Sequence, residues 1–214
     1  NSSFKDKIKL VDYPLFFLIL LLGIISFFSM YSSEGGAFNY YTQNHIYRFC
    51  IFFIFFILLS FINIQFWHKS SYLFYFIVLL LLISVNIFGV TASGSKRWIN
   101  IFFFNIQPSE LMKTFLIVFL ARYYSTISSQ EVSSVKKMII PLFVIFVPVS
   151  LIITQPDLGT AMLVAFGGFA LIWLAGFRLK YFIIGSILSI CLLPIVISFL
   201  KTYQKSRILT FLNP

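Results

Sequence analysis

The sequence predicts an all-α fold, a polytopic membrane bundle with seven transmembrane helices present. Hydrophobic residues make up 60% of the 214 positions and charged residues only 10%, against about 25% charged in soluble domains. Helix-length apolar runs recur seven times between polar breaks, and about 20 apolar residues cross a bilayer. The 29 phenylalanines exceed what aromatic belts at the two interfaces need. These observations exclude a soluble globular protein and a single-pass protein.

The predicted spans belong to a single transmembrane domain over residues 1–214. In chain order they are Leu15–Tyr31, Ile46–Ile64, Tyr72–Val90, Ser109–Tyr124, Met138–Ile153, Leu158–Phe177 and Tyr181–Leu200. The first follows three lysines and resembles a signal peptide, but the six further spans favour an uncleaved first helix. The pair Gly167-Gly168 within the sixth span predicts a kink or a close helix contact.

The distribution of Lys and Arg predicts a cytoplasmic N-terminus. In that orientation nine of these residues lie in inside segments and five in outside segments, as the positive-inside rule requires. The net charge of +10 therefore indicates cytoplasmic loops rather than a nucleic-acid partner. The outside minority comprises Lys96, Arg97, Lys201, Lys205 and Arg207. Because these five lie on the side where the positive-inside rule disfavours cations, they are candidates for a specific functional role.

The connection 91–108 is the longest clear one on the outside. Its apolar part, Ile99–Ile106, is too short to cross a bilayer, and we expect it to lie in the interface or dip part-way in, anchored by Trp98. Cys50 and Cys191 lie singly in apolar runs, which predicts neither a disulfide nor a cysteine metal site. The sequence shows no cluster of metal ligands.

Two outer helices begin alike, with Gln107-Pro108-Ser109-Glu110 and with Gln155-Pro156-Asp157-Leu158. Proline and an acid both suit the first turn of a helix, so Glu110 and Asp157 could be simple caps. Lys113 follows Glu110 by three residues, on the same helical face. An ionisable pair within a membrane segment suggests a functional site. The alternative is that the pair serves only to hold two helices together.

Lys96 and Arg97 are candidate contacts for the phosphates of a lipid headgroup. Arginine offers a bidentate fork to phosphate oxygens, and lysine offers a compact charge. The alternative is that both are solvated loop charges.

Three segments together resemble the SEDS family (shape, elongation, division and sporulation), the RodA/FtsW glycosyltransferases of bacterial peptidoglycan. They are Gly94-Ser95-Lys96-Arg97-Trp98-Ile99 with Gln107-Pro108-Ser109-Glu110-Leu111-Met112-Lys113; then Gln155-Pro156-Asp157-Leu158-Gly159-Thr160-Ala161; then Tyr203-Gln204-Lys205-Ser206-Arg207-Ile208-Leu209-Thr210-Phe211-Leu212-Asn213-Pro214. The resemblance covers essentially the whole chain. The Tyr203-Gln204 start favours the RodA branch, which serves cell elongation and rod shape.

The resemblance implies a bundle of about ten spans that polymerises lipid II. An acceptor sugar hydroxyl attacks the anomeric carbon of the growing glycan, and a polyprenyl diphosphate leaves. The aspartate to which the family's catalysis is attributed lies in an outer loop beyond Pro214. We therefore expect this chain to be an N-terminal portion of its parent, without a catalytic residue of its own and inactive alone.

The family motifs also imply roles for individual residues. Glu110, Lys113 and Asp157 would be essential polar residues of an outward cavity, and Lys96 and Arg97 would bind substrate. The expected partners are lipid II, a class B penicillin-binding protein and membrane lipid, in the bacterial inner membrane. The family chemistry also allows a divalent cation. Two other readings stay open, a lipid II flippase or transporter and a non-catalytic scaffold of the cell-wall machinery.

Overall fold

A computed structural model of the chain describes residues 12–92, 95–101, 104–128, 130–185, 187 and 191. The described part is a helical membrane fold, as predicted. Its helices are α1 (Tyr13–Ser33), α2 (Tyr40–Ser60), α3 (Ile64–Phe88), α4 (Pro108–Ser125), α5 (Val135–Thr154) and α6 (Leu158–Leu174). Residues 179–185 are also helical. The rest of the seventh predicted span lies almost wholly outside the described residues, as does the motif at 203–214.

Four of the described helices are long and apolar enough to cross a membrane: Tyr13–Ser33, Tyr40–Ser60, Ile64–Phe88 and Lys136–Thr154. The helix ends differ from the ends of the apolar runs. The third run begins at Tyr72, whereas α3 begins eight residues earlier at Ile64 and includes His68 and Lys69. Hydropathy marks where a chain is apolar, and backbone hydrogen bonding continues the helix into polar sequence beyond that point.

The chain divides into two compact units, residues 1–66 and 67–214. In the first, the backbone N–H of Leu15 donates to the Asp12 carboxylate at the start of α1. Midway along α1, Gly23 faces Phe49 of α2 so closely that a Cβ there would lie 2.1 Å from the ring. Only glycine allows this approach of α1 to α2.

The second unit is built around one buried face of α4. Met112, Leu116, Phe119 and Leu120 recur at helical spacing and are buried. The Tyr75 ring of α3 packs 4.8 Å from the Phe119 ring. Gly168 of α6 is buried against Ile145 of α5, where a Cβ would come within 2.6 Å. The predicted close contact at Gly167-Gly168 is therefore confirmed for Gly168.

Three short antiparallel strands occupy the connection between α3 and α4, in the order β1-β2-β3. They are β1 (Val90–Ala92), β2 (Ser95–Ile101) and β3 (Phe104–Ile106). Ile99 pairs with Ile106 and Asn100 with Asn105, whose side chains share a hydrogen bond of 3.1 Å. The sequence did not predict strands here, because an apolar run of eight residues has no decisive periodicity.

Candidate functional site

The candidate site lies at the end of the second unit where α4 and α6 begin. Contacts from the sheet and from the ends of α3 and α5 reach the same place, because successive helices alternate in direction. Gln155, directly after α5, donates from Nε2 to the backbone oxygen of Leu82 on α3 at 2.8 Å. Gln107, directly before α4, donates to Asp157, directly before α6, at 3.1 Å. The two Gln-Pro segments recognised in the sequence are therefore neighbours in space.

Glu110 and Lys113 form the ion pair expected from their spacing. Lys113 Nζ lies 2.8 Å from Glu110 Oε2, with the side chains 32% and 52% exposed. Glu110 is in the first turn of α4, where the helix dipole favours a carboxylate. A pair this exposed contributes at most about 1 kcal/mol to stability. Its value to the fold is therefore small, and a role in binding or catalysis stays a prediction.

Asp157 is the N-cap of α6, as one of the two readings predicted. Its carboxylate accepts a hydrogen bond from the backbone N–H of Thr160 at 3.3 Å and from the Thr160 hydroxyl at 2.9 Å. It also accepts from Gln107 and lies 3.8 Å from Nη1 of Arg97, and its side chain is only 11% exposed. Asp157 therefore caps one helix and ties it to two other segments.

Arg97 binds the backbone between α5 and α6. Its Nε donates to the carbonyl oxygen of Gln155 at 3.2 Å, and Nη2 donates to that of Pro156. A cation is favourable here because carbonyls at the end of α5 carry the negative end of the helix dipole. We call Arg97, Gln107, Gln155, Asp157 and Thr160 the Arg97–Asp157 network. It fastens β2 to the starts of α4 and α6.

Sequence reasoning missed the two glutamines of this network. Gln155 is 3% exposed, and a buried amide must find hydrogen-bond partners. The available signal is the repeated Gln-Pro pair, in which the glutamine recurs together with the proline and the acid that follows.

Lys96 is exposed and is not part of the network. It precedes Arg97 on β2 at a β-bulge, since Thr91 pairs with Lys96 and Val90 pairs with Trp98, which leaves Arg97 as the extra residue. The two cations that the sequence suggested as one phosphate site therefore have different surroundings, since Arg97 binds the backbone at Gln155 and Pro156 while Lys96 is exposed. Whether either binds substrate stays a prediction.

The described residues offer no good fit to a divalent cation. Among them no three His, Cys, Asp or Glu side chains come together as a metal-binding group. The Asp157 carboxylate already accepts from Thr160 and Gln107, and Glu110 pairs with Lys113. We therefore derive no step through a metal ion.

Comparison with known proteins gives one consistent family. The model for FtsW, RodA and SpoVE, described as "Cell cycle protein", matches residues 10–214. A protein named "Probable peptidoglycan glycosyltransferase FtsW" from Buchnera aphidicola subsp. Baizongia pistaciae is 33% identical over 98% of this chain. "Peptidoglycan glycosyltransferase MrdB" of Escherichia coli K12 is 28% identical over all of it. The chain spans 57% of the length of each of these two relatives.

Solved structures agree with the fold. One, reported as "Structural coordination of polymerization and crosslinking by a peptidoglycan synthase complex", matches 95% of this chain and 59% of its own chain, with TM-score 0.83 and 26% identity. The rod shape determining protein RodA of Thermus thermophilus matches 85% of this chain and 59% of its own, with TM-score 0.70 and 25% identity.

Proposed function

The chain belongs to the FtsW/RodA/SpoVE family, and from this membership we propose that its full-length protein is a peptidoglycan glycosyltransferase that polymerises lipid II. The observation that carries the proposal is the family match over residues 10–214. Because the chain spans only 57% of the relatives named above, the activity is proposed for the whole protein. The described residues would supply part of its site.

Glycosyl transfer from a diphosphate-linked donor sets two requirements. A base must accept the proton of the attacking sugar hydroxyl, and positive charge must stabilise the departing diphosphate. In this proposal the base is the family aspartate beyond Pro214. Lys113, held by Glu110 at 2.8 Å, and exposed Lys96 supply positive charge at the same end of the second unit.

Arg97 and Asp157 have a supporting role in the same proposal. The contacts of Arg97 with the backbone at Gln155 and Pro156 fix β2, and thereby the position of Lys96, its neighbour. Any contact between Arg97 and a diphosphate would use donors that these bonds leave over, since a guanidinium has five. Asp157 keeps Gln107 and the start of α6 in register with α4.

The test uses the full-length protein reconstituted with lipid II and its transpeptidase partner. Glu110→Gln and Lys113→Ala should each lower the rate of glycan polymerisation by at least about tenfold, because electrostatic groups aimed at developing charge are worth ~100-fold or more. Glu131→Gln and Lys136→Ala are matched controls, since both residues are exposed at the other end of the unit. They should keep the parental rate.

The same assay separates the competing functions. Folded Glu110→Gln and Lys113→Ala variants that polymerise at the parental rate would contradict the proposed site. A parent that neither polymerises nor moves lipid II with its partner present would be a scaffold. If the parent moves lipid II across vesicles and forms no polymer with its partner present, the protein is a flippase.

The expected partner is a class B penicillin-binding protein. Support comes from the solved structure whose description joins polymerization to crosslinking in one peptidoglycan synthase complex, since crosslinking is transpeptidase chemistry. Co-purification of the full-length protein with the candidate transpeptidase tests this pairing.

The proposal also includes a role in cell elongation and a cytoplasmic N-terminus. Tyr203-Gln204 favours the RodA branch, although relatives with both FtsW and MrdB names match. Depletion followed by complementation with a RodA or an FtsW gene decides between rod-shape and division roles. Reporter fusions at the N-terminus and after α1 test the proposed cytoplasmic N-terminus in the inner membrane.

A further inference from the structure

The end of the second unit opposite the Arg97–Asp157 network is strongly basic. There α3 begins, α4 ends and α5 begins. His68 Nε2 lies 3.0 Å from the Ser125 hydroxyl, and the Tyr123 hydroxyl donates to the Lys137 carbonyl at 2.8 Å. We call the six cations of this region the basic end; its only described acid is Glu131. They are Lys69, Arg122, Lys136, Lys137, Arg178 and Lys180.

Arg122 is held in place within the basic end by two contacts. Its Cζ lies 4.2 Å from the centroid of the Tyr72 ring, and Nη1 donates to the Lys69 carbonyl. These contacts engage one ring face and one of the five N–H donors. A cation that serves only to orient the protein in the membrane does not need its side chain held in this way. Arg122 is instead oriented, with donors left to bind an anion.

Two exposed lysines flank Arg122. Lys69 carries the carbonyl that Arg122 contacts, and Lys137 carries the carbonyl that accepts from Tyr123, the residue next to Arg122. The three cations therefore lie on adjoining turns of α3, α4 and α5. Arginine with neighbouring lysines suits a phosphate group, through a fork and through point charges.

Apolar surface begins directly beside these cations. Leu73 follows Tyr72 on α3, and Ile139 and Ile140 follow Lys137 on α5; they are 62%, 63% and 49% exposed. Tyr72 and Tyr123 are of the type that lies at the level of lipid headgroups. Along α3 and α5 the cation thus precedes the apolar side chains, as the phosphate of a phospholipid precedes its acyl chains.

We propose that Lys69, Arg122 and Lys137 bind the phosphate of an anionic phospholipid in the leaflet at the basic end. Charge complementarity selects an anionic lipid, and the adjoining apolar surface selects a lipid over a free anion. This site is separate from the proposed lipid II site, which lies at the other end of the helices. By the positive-inside rule the leaflet is the cytoplasmic one.

The test measures lipid binding to the purified full-length protein, with phosphatidylglycerol and phosphatidylcholine titrated in detergent and the complexes quantified by native mass spectrometry. The parent should prefer phosphatidylglycerol. Each cation near a membrane surface is worth about fivefold in affinity, so Lys69→Gln with Lys137→Gln should weaken phosphatidylglycerol binding about 25-fold. Both lysines are exposed, and circular dichroism checks that the variant folds. Arg122→Lys should give a smaller loss, because it keeps the charge and removes the fork.

The matched control is Arg178→Gln with Lys180→Gln, which removes the same charge from the same end. It should change the affinity less than about threefold, because both residues follow α6, whereas the proposed site is formed by α3, α4 and α5. An equal loss in both double variants would mean diffuse surface charge and overturn the site. Unchanged affinity in the Lys69/Lys137 variant would overturn it too, as would displacement of phosphatidylglycerol by inorganic phosphate at equal concentration.

Discussion

Replacing Asp157 should destabilise the protein through three identifiable contacts. Asp157→Ala removes the cap on α6, worth about 1 kcal/mol. It takes an acceptor from Gln107, which keeps its 3.1 Å bond to Ser109, and it takes the carboxylate from Arg97, which is 23% exposed. Each of these losses costs about 1 kcal/mol. The expected decrease in the free energy of unfolding is therefore about 2–4 kcal/mol.

Asp157→Asn separates the cap from the rest of the network. Asparagine caps a helix as well as aspartate does, so this variant should keep the bond from the Thr160 backbone N–H. Its amide nitrogen in place of Oδ2 loses the bonds from Gln107 and the Thr160 hydroxyl and the charge near Arg97, about 1–3 kcal/mol. Combined with Gln107→Ala in a double-mutant cycle, it should show a coupling energy of about 1 kcal/mol.

The assay is reversible unfolding of the full-length protein in mixed micelles, followed by far-ultraviolet circular dichroism. Glu110→Gln is the control, since its half-exposed pair should cost less than about 1 kcal/mol. The reasoning is refuted if Asp157→Ala costs no more than this control, or if the Gln107 cycle shows no coupling.

Two further predictions concern the bundle itself. Gly168→Ala should lower the free energy of unfolding by about 1–2 kcal/mol, because its Cβ would press on Ile145. Gly167→Ala is the control and should be neutral or stabilising, because the nearest neighbour of its Cβ would lie at 3.4 Å. Equal effects of the two substitutions in the same unfolding assay would contradict the packing argument. At the start of α2, desolvation raises the pKa of Glu34, but hydrogen bonds from Thr42 and the backbone outweigh it, so the net shift is downward. Its contribution to stability is therefore complete above the ordinary pKa of 4.5 and is lost as the pH falls through the lowered pKa, so the melting temperature should fall as the pH is lowered below about 4.5. A drop of equal size in Glu34→Gln would disprove the assignment.

Local rules were sufficient for the contacts within a helix turn. The Glu110–Lys113 pair follows from three-residue spacing, and the Asp157 cap follows from the position of an acid before an apolar run. The helical bundle follows from the length of the apolar runs. Each of these needs only neighbouring residues, so the sequence is enough to predict them.

Long-range contacts could not be predicted in the same way. Arg97 and Gln155 are 58 residues apart, and Gln155 and Leu82 are 73 apart. Their meeting depends on which helix ends share a side of the bundle and on β2 being a strand. Apolar length decides neither, since an eight-residue apolar run can be a strand or part of a helix.

The strand assignment changes how the two outer cations should be understood. Read as a loop, Lys96 and Arg97 look equivalent, and adjacent positive charges suggest one phosphate site. In the structure a β-bulge makes Arg97 the extra residue of β2 between Lys96 and Trp98. Arg97 is then occupied by the backbone at Gln155 and Pro156, while Lys96 stays exposed. Within the proposed function, the diphosphate contact therefore falls first on Lys96, and Arg97 acts by fixing the strand that presents it.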